Sequence, residues 1–287
     1  MTASRAETSV APHILDNVRQ ALQEDIGSGD LTASLIPESA KATARLIVRE
    51  EAVLCGQAWF NTTFAEVDDS LEPGWQVDEG EWVKADQHIC TIRGRARSIL
   101  TAERTAINFL QTLSGTATVS RRYAEQLEGL HTRVLDTRKT IPGLRLAQKY
   151  AARTGGAANH RVGLYDGVLI KENHIRAAGS IAKAVAEARR VTPENMLLEV
   201  EVETLDELQQ AIAAGASRIL LDNFSEQMLR DAVRSRPDGV ALEASGNVSL
   251  ESLRGIAETG VDYISVGALT KHLRAVDFSL QFNLDSD

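Results

Sequence analysis

The chain has 287 residues, 43% of them hydrophobic, which is enough for one large domain or for two smaller domains with separate cores. Its net charge is -9, so we expect no general attraction to nucleic acid or to an anionic membrane. Cys55 and Cys90 are the two cysteines, and their spacing matches no metal or redox motif. The sequence has no run of 18 apolar residues and no apolar signal segment near its start, so a cytoplasmic location is expected.

The first 130 residues predict a mixed domain of helices and antiparallel strands. Apolar residues at Ile14, Val18 and Leu22 have the spacing of an amphipathic helix. The predicted elements of this part are helices over 12–26 and 101–127 and strands within 42–56 and 88–100. The segment 73–89 is similar to the folds that carry biotin or lipoate, but it lacks their modified lysine, so we interpret it as a scaffold hairpin.

From about residue 131, short apolar runs alternate with amphipathic helical stretches. Strand, helix and strand in repetition are typical of a parallel α/β sheet or barrel. Thr204 and Glu207 have the spacing of a capping box at the start of one of these helices. The six predicted strands are 133–136, 166–171, 196–202, 218–223, 239–245 and 262–267.

Polar or glycine residues follow every one of these strands at its carboxyl end, where barrels place their reactive groups. In the third strand Glu199, Glu201 and Glu203 alternate with apolar residues, so the three carboxylates share one face. A parallel strand covered by helices has no wet outer face, so these glutamates should point into the barrel. Buried carboxylates need cations, metal ions or hydroxyl donors. Glu201 and Asp222 are therefore candidates to bind Mg²⁺ or sugar hydroxyls, and Glu199 is a candidate to pair with a nearby Lys.

A cationic segment stands out in this acidic chain. Between residues 133 and 171 there are eight Lys and Arg against Asp136 and Asp166, a local charge of +6. Such a segment favours a small, strongly anionic ligand, and Arg side chains match carboxylates in a bidentate manner. Arg145, Lys149 and Arg153 are better explained as charges on a helix surface.

Two glycine turns end the last two strands, within "EASGN" and "SVGAL". Glycine lets the backbone approach an anion closely, and the last two strand loops of a barrel are the usual phosphate site. The candidate phosphate-binding residues are Ser245, Gly246, Asn247 and Gly267.

The motifs together resemble the quinolinate phosphoribosyltransferase family. The resemblance covers nearly the whole chain in order, and its longest blocks are "ERTAINFLQTLSGTAT" (103–118), "DTRKTIPGLR" (136–145) and "GGAANHRVGLYDGVLIKENH" (155–174). It implies transfer of phosphoribose from phosphoribosyl pyrophosphate to quinolinate with Mg²⁺, giving nicotinate mononucleotide, pyrophosphate and CO₂.

The resemblance also assigns roles to residues. It implies that Glu201 and Asp222 serve the ribose and the metal, with direct metal binding and binding through ribose hydroxyls both open. Lys139, Lys171, Glu201 and Asp222 are the expected catalytic residues, and Ser245, Gly246, Asn247 and Gly267 are expected to hold phosphoribosyl pyrophosphate. The residues expected to bind quinolinate are Arg138, Lys139, His160, Arg161, Lys171 and, from the partner chain of a homodimer, Arg104.

The fold that the resemblance implies is an N-terminal α+β sandwich domain followed by an incomplete parallel α/β barrel. The expected boundaries are 1–115 for the sandwich, joined by residues 274–287, and 116–273 for the barrel.

Three other functions are weighed against this one. A Schiff-base aldolase would use Lys171 as its nucleophile, but Lys171 shares its site with arginines, which such a lysine does not need. A sister enzyme acting on nicotinate should need fewer cations, because nicotinate has one carboxylate. A binding protein for phosphosugars would give Glu201 and Asp222 no metal role.

Overall fold

The computed structural model describes residues 11–194 and 196–285. Residues 1–10, which carry part of the signal-peptide argument, lie outside the described part. By their contacts the described residues form two units. Residues 122–140, 157–194 and 196–271 form the barrel unit, and residues 11–121, 141–156 and 272–285 form the antiparallel unit. No helix in the described ranges is both long enough and apolar enough to cross a bilayer.

The antiparallel unit is built on a four-stranded sheet of order β12-β1-β5-β3, with a separate two-stranded pair of β2 and β4. Its strands are β1 (Lys41–Val48), β2 (Ala52–Val53), β3 (Gly74–Trp75), β4 (Trp82–Val83), β5 (His88–Arg95) and β12 (Phe278–Leu284). Its helices are α1 (Ala11–Ile26), α2 (Gln57–Val67), α3 (Ala96–Glu125) and α4 (Arg145–Thr154).

The central strand β1 shows why this sheet has one buried face. Ala42, Ala44, Leu46 and Val48 are fully buried and alternate with more exposed residues, as a strand with one packed face requires. β5 and β12 pair with β1 on its two sides, both antiparallel. The C-terminal strand thus completes the sheet that begins near residue 41.

The barrel unit contains a six-stranded parallel sheet of order β6-β11-β10-β9-β8-β7. Its strands are β6 (Arg133–Leu135), β7 (Gly167–Ile170), β8 (Leu197–Val202), β9 (Arg218–Asp222), β10 (Ala241–Ser245) and β11 (Tyr263–Ser265). Its helices are α5 (Glu172–Ala178), α6 (Ile181–Val191), α7 (Leu205–Ala213), α8 (Glu226–Ser235), α9 (Leu250–Ala257) and α10 (Ala268–Lys271).

The sheet is open between β6 and β7, which occupy its two ends. This confirms the prediction of an incomplete barrel that follows an α+β part. All six strands run in the same direction, so their carboxyl ends meet at one edge, and the loops that follow them can share a site.

The predicted capping box on α7 is half correct. The Thr204 side chain accepts a hydrogen bond from the Glu207 backbone N–H, as predicted. The Glu207 carboxylate accepts a hydrogen bond from the backbone N–H of Glu203, at 2.8 Å, whereas a full capping box would use the N–H of Thr204 itself. Gly215 follows the helix with φ +82°, the left-handed conformation that suits glycine at this position.

Helix α4 differs from its sequence-based interpretation in two ways. Its residues group by contacts with the antiparallel unit, although the sequence-based boundaries place them in the barrel. Lys149 is only 2% exposed, so the prediction of a surface cation is wrong at this residue, whereas Arg153 is exposed as expected.

Candidate active site

The barrel unit places the predicted residues at the carboxyl edge of its sheet. Glu201 lies near the end of β8, and Asp222 and Ser245 are the last residues of β9 and β10. The others belong to the loops: Arg138 and Lys139 after β6, His160 and Arg161 before β7, Lys171 directly after β7, Gly246 and Asn247 after β10, and Gly267 after β11.

Asp136 joins the first two of these loops. Its carboxylate is fully buried and accepts the backbone N–H of His160 at 2.8 Å and the side-chain amide of Asn159 at 2.6 Å. Because both hydrogen bonds reach the segment that follows α4, this residue fixes the loop that carries His160 and Arg161.

Arg161 is the most buried arginine of the predicted set, with 7% of its surface exposed. Burial lowers the pKa of its guanidinium, and repulsion by the charge of Arg138 lowers this pKa further. Its Nη1 donates to the carbonyl of Gly167 at 2.9 Å. Two neighbouring guanidinium groups that are partly shielded from water favour binding of an anion.

Lys171 and Glu201 form a direct ion pair, with Nζ 2.5 Å from Oε2. Asp222 belongs to the same group of charges: burial and repulsion by Glu201 raise its pKa, while Lys171 and Lys139 oppose that shift. The Lys171 backbone N–H donates to Nδ1 of His174 at 2.9 Å, which fixes the residue that precedes α5. His174 belongs to the "KENH" motif, but its position in that motif did not indicate a role for it.

Lys139 and Gly267 bring the first and last strand loops together. A Cβ atom at Gly267 would lie 3.0 Å from the Lys139 side chain, so glycine leaves the space in which this lysine lies. The Thr270 hydroxyl donates to the carbonyl of Lys139 at 2.7 Å and holds the loop from the other side. Sequence reasoning missed Thr270.

The loops after β9 and β10 form a close-packed turn pair. Gly246 has φ +111°, and a Cβ atom there would lie 2.2 Å from Oδ1 of Asn223. Asn223 and Asn247 also have positive φ, a conformation in which short polar residues are enriched. Asn223 donates from its side chain to Asp222 at 2.9 Å, so the glycine turn and the predicted sugar-binding carboxylate are mechanically linked.

Below this edge lies a buried ionic group that sequence reasoning did not predict. Glu199 was expected to pair with a lysine, but its Oε1 accepts from Nε of Arg218 at 3.0 Å, and its Oε2 lies 3.0 Å from Nε2 of His160. Glu243 joins the same group through Arg218. The signal that could have found these residues is a charged side chain inside a strand that helices cover on the outside.

Arg104 lies on α3 in the antiparallel unit, with an exposed side chain. Its expected role in the site of a partner chain stays a prediction.

Known proteins match this chain over nearly its full length. The model of the quinolinate phosphoribosyl transferase N-terminal domain matches residues 30–114, and that of the C-terminal domain matches residues 116–281. The probable nicotinate-nucleotide pyrophosphorylase [carboxylating] of Bacillus subtilis is 39% identical, covering 92% of this chain and 91% of its own. The nicotinate-nucleotide pyrophosphorylase [carboxylating] of Mycobacterium leprae is 40% identical, covering 92% and 95%.

A solved structure supports the same assignment. The nicotinate-nucleotide pyrophosphorylase from Francisella tularensis superposes with a TM-score of 0.93 at 49% identity, covering 98% of this chain and all of the other. Its similarity extends through both units. The chain therefore belongs to the quinolinate phosphoribosyl transferase family.

Proposed function

We propose that this protein transfers phosphoribose from phosphoribosyl pyrophosphate to quinolinate and forms nicotinate mononucleotide, pyrophosphate and CO₂. The observation that carries the proposal is the pair of mutually repelling guanidinium groups of Arg138 and Arg161 in a chain of net charge -9. Quinolinate has two carboxylates on adjacent ring carbons. Two adjacent carboxylates would complement these two neighbouring cations within a small site.

Arg138, Lys139, His160, Arg161 and Lys171 are the residues that we assign to quinolinate. The arginines suit carboxylates because a guanidinium presents paired N–H donors in a fixed geometry. Lys171 is already held by Glu201, so binding of a substrate carboxylate would place it between two anions. Such contacts suit electrostatic binding of a carboxylate rather than nucleophilic attack on a carbonyl.

In the first step the ring nitrogen attacks C1 of the sugar, and the bond from C1 to the pyrophosphate oxygen breaks. Positive charge develops at C1 as pyrophosphate leaves, and Glu201 and Asp222 can stabilise this charge. The bond from C2 to its carboxylate then breaks, CO₂ leaves, and the electron pair stays on C2 beside the cationic nitrogen. A proton from water completes nicotinate mononucleotide, so this step needs no organic cofactor.

The glycine turns are assigned to the phosphates. Ser245, Gly246, Asn247 and Gly267 would contact phosphoribosyl pyrophosphate through backbone N–H groups and short side chains. The positive φ of Gly246 and Asn247 supports this assignment, because successive N–H groups in such turns converge on one point.

Glu201 and Asp222 also fit Mg²⁺, which prefers carboxylate oxygens. Burial and repulsion by Glu201 raise the pKa of Asp222, and a bound cation would relieve the repulsion. When bound, Mg²⁺ supplies neutralising charge to the pyrophosphate leaving group.

We further propose a cytoplasmic homodimer in which Arg104 completes the neighbouring site. Both cysteines are buried free thiols, which suits a reducing compartment. Arg104 is exposed on α3 and is available to a second chain.

The proposal is tested by parallel assays with quinolinate and with nicotinate, each with phosphoribosyl pyrophosphate and Mg²⁺. Mass spectrometry should detect nicotinate mononucleotide from quinolinate, and turnover of nicotinate should be at least a hundredfold slower. Nicotinate leaves part of the cationic site unpaired, and sites built for polar groups reject such analogues strongly. Comparable turnover of both compounds would transfer the assignment to a nicotinate enzyme.

A further inference from the structure

One layer below the strand ends, the barrel unit holds a buried ionic group, here called the floor cluster: Glu199, Arg218, Glu243 and His160. Glu199 lies two residues before Glu201 on β8, and Glu243 lies two residues before Ser245 on β10. Residues two apart on a strand share a face and are about 6.6 Å apart. The floor cluster therefore lies directly beneath the residues assigned to the sugar and phosphate.

Arg218 connects the two carboxylates of the floor cluster. Its Nε donates to Glu199 at 3.0 Å, and its Nη2 donates to Glu243 at 2.5 Å. Both glutamates are fully buried, and the guanidinium lies over the ring of Tyr263, 4.1 Å from its centroid. Removing either partner would leave a buried charge uncompensated, so these strands are held in one arrangement.

His160, Glu199 and Glu243 lie close enough together to coordinate a metal ion. Arg218 contacts the other oxygen of each carboxylate, so a full positive charge already lies beside the two glutamates. It supplies the positive charge that a metal would otherwise provide.

His160 links the floor cluster to the cationic site above it. Its Nε2 lies 3.0 Å from Oε2 of Glu199 and 3.6 Å from Oε1 of Glu243, and its Nδ1 accepts the backbone N–H of Arg161 at 2.7 Å. A ring nitrogen that accepts carries no hydrogen, so this geometry selects the tautomer with hydrogen on Nε2. Both ring nitrogens thus lie beside protein groups, Nε2 next to the two carboxylates and Nδ1 next to the Arg161 N–H.

We propose that Glu199, held by Arg218, is a positioning residue for quinolinate: it fixes the His160 ring, which in turn fixes the backbone of Arg161. The inference rests on the proposed function and deepens it. It also revises the expected role of His160, whose ring acts by holding Arg161 in place. The backbone of Arg161 is then held by the His160 ring, and its guanidinium is oriented by the carbonyl of Gly167.

A purely structural role for Glu199 predicts a different result. It would lower the stability of the whole unit and affect both substrates equally. A positioning role acts on the Arg161 side of the site, so it should weaken quinolinate binding and leave phosphoribosyl pyrophosphate binding nearly unchanged.

The first test compares Glu199→Gln with wild type and with Asp262→Asn as a matched control. Asp262 also pairs with an arginine of the barrel unit, Arg236, and accepts the Leu242 N–H, but it directly precedes β11 and so lies at the amino end of the sheet. Glu199→Gln should raise KM for quinolinate at least tenfold and change KM for phosphoribosyl pyrophosphate less than threefold. Equal increases for both substrates, or a quinolinate KM like that of the control, would overturn the inference.

The second test observes the His160 ring without any substrate. Nitrogen-15 spectra of histidine-labelled protein, with His160 assigned by comparison with His160→Gln, should show hydrogen on Nε2. In Glu199→Gln the same ring should show a mixture of tautomers. Hydrogen on Nδ1 in the wild-type protein would overturn the inference.

The two tests separate the inference from the proposed function. If the wild-type protein forms no nicotinate mononucleotide, the proposed function fails, and the ring spectrum alone decides whether Glu199 fixes His160. If product forms and Glu199→Gln keeps a normal quinolinate KM, the function stands and the positioning role is rejected.

Discussion

Lys171 shows how single side chains connect the two halves of the candidate site. It is assigned to a quinolinate carboxylate, and it also contacts Glu201, the residue assigned to the ribose. We expect Lys171→Ala to lower kcat/KM about a hundredfold, the order of loss when one member of a charge pair is removed. Lys183→Ala, which removes an exposed lysine from α6, is the matched control. Near-normal activity of Lys171→Ala would contradict the assignment.

Glu243 gives a pH-dependent prediction about stability. Burial and repulsion by Glu199 raise its pKa from 4.5 to about 7. Between these values the folded protein keeps a proton that the unfolded chain releases, so this group makes the free energy of unfolding fall as pH rises. Glu243→Gln cannot titrate and should remove this slope. Urea unfolding at several pH values between 4.5 and 7 measures it, and parallel profiles of both proteins would contradict the raised pKa.

Sequence reasoning located residues at the ends of strands but did not identify the partners of residues inside them. Glu201 and Asp222 could be selected because polar groups at carboxyl ends of parallel strands gather in one place. The position of Glu199 on the inner face was predicted correctly, but its partner was not identified, because Arg218 lies on another strand. Pairing across strands depends on register, which one strand's pattern does not contain.

At the scale of elements, periodicity predicted all six barrel strands and the two long helices α1 and α3. Each strand is a short apolar run between helical stretches, which is a strong local signal. Helix α2 was missed, because its residues Trp59, Phe60 and Phe64 are buried beside several polar ones and give little amphipathic contrast. The strand order β6-β11-β10-β9-β8-β7 depends on tertiary packing and could be expected only from the resemblance.

The turn after β10 gives a prediction at this scale. Gly246→Ala would place a Cβ atom 2.2 Å from the Asn223 side chain at a φ of +111°. Asn223 holds Asp222, so its displacement should raise KM for phosphoribosyl pyrophosphate about tenfold and leave quinolinate affinity within about threefold. Calorimetric and kinetic titrations measure both quantities.

Gly179→Ala is the control for this experiment. Gly179 has φ +87° but no atom within 4 Å of a Cβ there, so it tests backbone strain without displacement of a neighbour. It should cost about 1 kcal/mol of stability and leave both affinities unchanged. If Gly246→Ala behaves like this control, the turn has no role in phosphate binding.

At the scale of the whole molecule, the chain alternates between its two units, which one-dimensional patterns did not predict. Residues 141–156 and the C-terminal strand both pack with the antiparallel unit. The return of β12 to β1 buries Phe278 and pairs seven residues of each strand, contacts between residues more than two hundred positions apart. Such contacts depend on tertiary packing. The resemblance to the family, and not the sequence pattern, indicated that the C-terminal residues join the first domain.

The proposed dimer predicts complementation between two inactive variants. Arg104→Ala and Arg138→Ala should each be nearly inactive. After subunit exchange about half the dimers are mixed and each has one intact site, so roughly a quarter of wild-type activity should return. If Arg104 served its own chain, every mixed site would carry one lesion. No recovery, with exchange verified by an affinity tag, would reject the shared site.

In the proposed reaction, one site both transfers phosphoribose to quinolinate and removes its C2 carboxylate. Quinolinate labelled with carbon-13 in that carboxylate, incubated with phosphoribosyl pyrophosphate and Mg²⁺, tests both steps at once. We expect labelled CO₂ and unlabelled nicotinate mononucleotide in equal amounts. Retention of the label in a nucleotide, or formation of no nucleotide at all, would contradict it.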